Sequence, residues 1–301
     1  MGLNPAGVTK QMNKSSHPLM HLLFMSALVL LMFAAVAVLT AAATAAGLDP
    51  GANPGFYLTQ SLTQICVFLL PVLITTRRYY SGSQRAFYRL EAGSHSGAAV
   101  LGGIALLLLL TPLIDRLTQW NDSWQLGAFG ERCRALQNQT EGLLGRVFSA
   151  TGIGGLTSNL VVVALLPAVC EEVFFRAGVQ NLLQRWLRNP HAAVWAAAAV
   201  FSLGHGELFA FVPRLLMGAL LGYIYIGGGS LLANTATHFF NNALIVVLYW
   251  LNARGTLGFN PETPLQIHWL PTLLCTAVAL VVAVRLWKRR PLPAADSPKE
   301  C

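Results

Sequence analysis

Apolar and polar positions alternate along this chain on the scale of whole helices. Long apolar runs are separated by short polar breaks or by glycine and proline clusters such as Gly47-Leu48-Asp49-Pro50, Asn189-Pro190 and Gly227-Gly228-Gly229. The runs cover about 19–46, 56–76, 97–114, 152–188, 190–205, 213–226, 231–251 and 268–287. Crossing a bilayer takes about 20 predominantly apolar residues, so the pattern predicts an all-α, polytopic membrane protein with about eight transmembrane helices. The first run ends in small residues, as a signal peptide does, but it exceeds the 7–15 residues of such a core and reads as a membrane helix. Residues 115–149 mix Asp115, Asp122, Glu131 and Glu141 with four arginines and carry Trp120 and Trp124, which predicts an outer, partly interfacial loop. Three regions follow. Residues 1–150 hold three helices and the outer loop, 151–254 form a core of helices 4 to 7, and 255–301 supply the last helix and a basic, disordered cytoplasmic tail.

Composition agrees with this class: 54% of residues are hydrophobic, 11% are charged, and the mean hydropathy is +0.55. A soluble domain carries about a quarter charged residues. The net charge of +8 does not point to nucleic acid, because the basic residues sit in short loops and at the C-terminus instead of in one patch. With eight spans, Arg77, Arg78, Arg85, Arg89, Arg185, Arg188 and Lys288 to Arg290 fall on one face with Lys10 and Lys14. Short basic loops stay inside, so both termini are expected in the cytoplasm; Arg214 and the arginines of 115–149 are the exceptions. Five cysteines without a CxxC pair predict no disulfide framework.

Against this apolar background stands Cys170-Glu171-Glu172-Val173-Phe174-Phe175-Arg176. An ionised side chain near the bilayer centre costs about 3 kcal/mol, so three together mark a functional site by default. Residues four apart share a helix face. Glu172, Arg176 and Gln180 therefore form one stripe, and Glu171 points about 100° away. The acids fall in the cytoplasmic half of the fourth span, and His238 lies at similar depth in the seventh. Asn234 and Asn242 stand one turn before and after it. Counted from Pro190, His205 would lie past the midplane, so the fifth span either starts later or breaks near Gly204 and Gly206.

Taken singly, each feature has a plainer explanation: a solvated acidic face, a Glu172–Arg176 ion pair, a packed histidine, polar contacts between helices. Together they are costly to bury unless they satisfy one another. A carboxylate in apolar surroundings suits general acid–base work, and histidine and amide donors suit a developing oxyanion. Glu171, His205 and His238 also match the composition of a catalytic zinc site, although the spacing is not HExxH. Sequence leaves open both versions, and also a non-catalytic transporter or scaffold that binds an ion or ligand there. No internal repeat of the transporter kind is visible.

Glu171 to Arg176 has the form EExxxR, Phe201 to His205 the form FxxxH, and His238 to Asn242 the form HxxxN, in that order. In these motifs, over about residues 156–251, the chain resembles the CPBP family of intramembrane proteases, which includes Rce1-type CAAX endopeptidases and bacteriocin-processing proteins. The resemblance implies an intramembrane endopeptidase acting on a membrane-associated protein or peptide, and the compact loops point to a bacterial inner membrane. It implies Glu171 as the acid/base on water with His205 assisting, His238 and Asn242 at the oxyanion, and Glu172 and Arg176 as support. No cofactor is expected, and zinc is the alternative. By bringing His205 to the other motifs, the resemblance also points to the boundary of the fifth span as the misplaced feature.

Overall fold

The computed structural model describes residues 17–90, 96–228, 230–258, 263, 265 and 267–288. Lys10, Lys14, Arg289, Arg290 and the tail expected to be disordered lie outside them. The described residues form nine main helices and no strand: α1 (Pro18–Ala45), α2 (Asn53–Tyr79), α3 (Ser96–Asp122), α4 (Gly127–Phe148), α5 (Ile153–Leu187), α6 (Pro190–Gly204), α7 (Phe211–Gly228), α8 (Leu231–Ala253) and α9 (Trp269–Lys288). Local sequence sets several starts. His17 accepts from the Leu19 amide at α1, Asn189 from the His191 and Ala192 amides at α6, and Ser230 from the Ala233 amide at α8.

Among the described residues six helices are long and apolar enough to cross a membrane, and the protein is an integral membrane protein. The expected fifth and eighth spans are shorter apolar helices, Pro190–Gly204 and Trp269–Arg285. The stretch read as an outer loop is mostly helical, because α3 continues to Asp122 and Gly127–Phe148 forms a helix of 22 residues. Its mixed charges had suggested a loop. They instead mark a polar-faced helix, tied back where Arg134 pairs with Asp122 and stacks on the Phe209 ring.

Two long helices are not uniformly α-helical. α2 carries a π-helical segment at Thr63–Leu69, and α5 carries two, at Leu160–Leu165 and Val173–Gln180. The first two are followed closely by Pro71 and Pro167. A proline ring cannot donate to the carbonyl four residues back and crowds it, and a locally widened turn relieves that conflict.

Packing uses close backbones more than bulk. A Cβ on Gly218 of α7 would lie 3.1 Å from Ala198 of α6, and one on Gly103 of α3 would lie 2.5 Å from the Thr237 hydroxyl of α8. Small residues serve this way where lipid tails are as apolar as the side chains. One buried cluster joins Met25, Val72, Phe174, Phe175, Phe201 and Tyr225, so α1, α2, α5, α6 and α7 share a centre. The segment after α2 folds back to bury Tyr80, Phe87 and Tyr88. Burial pushes the Tyr88 hydroxyl above the usual phenol range. Outside, leucines such as Leu30, Leu101, Leu203 and Leu270 are exposed, as lipid-facing residues should be.

Candidate active site

Glu171 and Glu172 are buried near the middle of the 35-residue α5, at the end of its α-helical stretch Leu166–Glu172. The Glu172 carboxylate is fully buried and accepts from three side chains. Arg176 Nε donates to Oε2 at 2.9 Å, Asn234 Nδ2 donates to the same oxygen, and His238 Nδ1 donates to Oε1 at 2.9 Å. Asn234 and His238 lie one turn apart on α8 and so reach the carboxylate together. Removing the guanidinium would leave a buried charge short of a partner, which is strongly unfavourable.

Glu171 is held differently. Gln64 Nε2, from the first π-helical segment, donates to Glu171 Oε1 at 3.0 Å. The other oxygen, Oε2, lies 4.0 Å from His238 Nε2. That is beyond a hydrogen bond and is a separation a bridging water can span. Glu172 thus fixes the His238 ring so that its second nitrogen faces Glu171. The neighbouring acids have separate surroundings because adjacent helix positions point about 100° apart.

His205 stands apart from this cluster. It follows the last residue of α6, is exposed, and donates from Nδ1 to the Phe201 carbonyl at 2.8 Å. α6 begins at Pro190 as the sequence suggests, so the misplaced feature is not its start. The helix breaks at Gly204, and Gly206 takes the left-handed φ of 71°. Fifteen residues at about 1.5 Å each end α6 at about 22 Å, short of a full crossing. The following turn is fixed by buried Asn121, whose Nδ2 donates to the Leu208 carbonyl at 3.1 Å and whose Oδ1 accepts from the Val212 amide at 2.8 Å. The Phe201 ring lies 4.7 Å from the His205 ring and 6.1 Å from the His238 ring, so it links the two histidines. Asn242 is half-buried, and its Oδ1 accepts from Asn241 Nδ2 at 3.1 Å.

Glu171, Glu172, Arg176 and His238 are therefore brought together, whereas His205 and Asn242 make no hydrogen bond to these four. Gln64 and the role of Asn234 were missed from sequence. The available signal for Gln64 was a lone amide ahead of the apolar Ile65 to Leu70. Among the described residues no group of three or more His, Cys, Asp or Glu side chains could hold a metal ion. Glu171, His205 and His238 do not form such a ligand set in this arrangement.

Residues 154–244 match a family model described as Type II CAAX prenyl endopeptidase Rce1-like. The matched segment holds Glu171, Glu172, Arg176, Asn234 and His238, and it leaves out Gln64. No curated protein and no solved structure matches the chain.

Proposed function

From the Rce1-like domain that the chain carries at residues 154–244, we infer that it is an intramembrane endopeptidase hydrolysing a peptide bond of a membrane-associated protein or peptide. The observation that carries this reading is the gap of 4.0 Å between Glu171 Oε2 and His238 Nε2, with every other strong acceptor of the pair already engaged. A water in that gap donates to Glu171 and accepts from His238. With both ring protons on His238, Nδ1 donates to Glu172 and Nε2 can donate to the water, and the two carboxylates balance the guanidinium and the imidazolium. Glu172 supports the imidazolium in the way an aspartate supports a catalytic histidine.

In the proposed reaction Glu171 takes a proton from the water, and the hydroxide oxygen attacks the carbonyl carbon. His238 and Asn242, one turn apart on α8, face the oxygen on which charge develops. The same proton then passes from Glu171 to the leaving amine as the C–N bond breaks. His205 assists from the broken end of α6. No metal takes part in this scheme, so exhaustive chelation should leave the rate unchanged, with no stoichiometric zinc in the purified enzyme by elemental analysis. The proposed setting is a bacterial cytoplasmic membrane with both termini inside.

The test is cleavage of membrane-anchored peptides, prenylated and unprenylated, by the chain in liposomes, read by mass spectrometry. Products should form with the wild type and fall by about 10²- to 10⁴-fold in Glu171→Gln. Equal product sets from both proteins would overturn the reading.

A further inference from the structure

Gln64 lies outside the matched residues, on a helix the family model does not reach. It is buried, and the run after it, Ile65-Cys66-Val67-Phe68-Leu69-Leu70, is apolar. An amide here finds no solvent and must use protein partners. Its Nε2 donates to Glu171 Oε1, while its own Oε1 is buried with no hydrogen-bond partner. This amide commits its donor to the carboxylate. The reverse orientation would set amide oxygen against carboxylate oxygen, so only the donor orientation suits an ionised Glu171.

The segment that carries Gln64 is locked to the helix that carries Glu171. Phe68, four residues on, meets the Phe174 ring edge to face at 5.3 Å and the Phe175 ring at 5.9 Å. Those phenylalanines follow Glu172 closely in sequence, so the ring contacts help set the distance from Gln64 to Glu171. With Oε1 tied, Oε2 is the oxygen left facing His238.

Resting on the reading of Glu171 as the base, we propose that Gln64 is a positioning residue of the active centre, holding one carboxylate oxygen so that the other is presented to water. The centre then draws on α2 as well as on residues 154–244, and that segment alone is incomplete as a catalyst.

The test uses the full chain in liposomes. Gln64→Met keeps length and removes the amide, and Gln64→Leu removes it with a shorter apolar side chain. Each should lower kcat by about 10- to 100-fold, as small misplacements of a reacting group do, with KM unchanged. The infrared carboxylate band that disappears in Glu171→Gln should shift in Gln64→Met. If Gln64→Met does not fold, Gln64→Leu carries the kinetic test. An inactive Glu171→Gln beside a Gln64→Met with full kcat and an unmoved band overturns the positioning role and leaves the base assignment standing. A kcat loss accompanied by a lower melting temperature and an unmoved band also overturns it, in favour of packing. An active Glu171→Gln overturns the underlying reading itself.

Discussion

At the scale of single residues, two adjacent acids have been given unlike surroundings. Glu172 accepts from Arg176, Asn234 and His238 and is fully buried, whereas Glu171 has one donor and one open oxygen. Substitution should separate them. Glu171→Gln should lose activity with little change in stability, because one hydrogen bond is altered. Glu172→Gln leaves Arg176 buried without its counter-charge, and breaking a buried pair costs about 3–5 kcal/mol. A large fall in melting temperature together with lost activity is expected for Glu172→Gln, and equal melting temperatures for the two variants would contradict these environments. Much of this was legible in the sequence, since helical spacing alone separates Glu171 from the Glu172–Arg176 stripe. The grip of Glu172 on His238 was not legible, because it joins residues on two helices whose rotation no single-helix pattern fixes.

At the scale of elements, the positions of α5, α6 and α8 follow from small residues and helix breaks. Gly103 of α3 is pressed against Thr237, the residue beside His238 on α8. Gly103→Val should push α8 away and overpack the contact at about 1–3 kcal/mol, lowering both the melting temperature and the rate. Gly97→Ala on the same helix, where a Cβ meets nothing, is the control that should change neither. The apolar runs were legible as helices because each is bounded by glycine, proline or basic residues. The π-helical segments were not, because their side chains keep the apolar pattern of ordinary helices while the turn widens. The helix Gly127–Phe148 was also obscured, since its charges resemble those of a loop.

At the scale of the whole molecule, the basic residues of the sequence lead to the proposal of one cytoplasmic face. In a cysteine-free background, Arg188→Cys after α5 should react with an impermeant maleimide only from the cytoplasmic side. Gly142→Cys on α4, where a side chain has open space, should react only from the outer side. Labelling of both from one side would reject the proposed orientation. The family resemblance was legible because its three motifs fall in consecutive helical regions. What sequence could not supply was the contribution of the first 150 residues, where a single glutamine was the signal and its partner lies 107 residues away.

The break in α6 has a consequence for how a hydrolase can work inside lipid. A helix that stops at about 22 Å has last carbonyls that need donors from beyond it. Here the His205 ring Nδ1 donates to Phe201, the His205 amide to Ser202 and the Gly206 amide to Leu203. The turn therefore closes its own backbone, as a helix end inside hydrocarbon must. One ring nitrogen of His205 is spent as a helix cap, which leaves only Nε2 for any part in the proposed reaction.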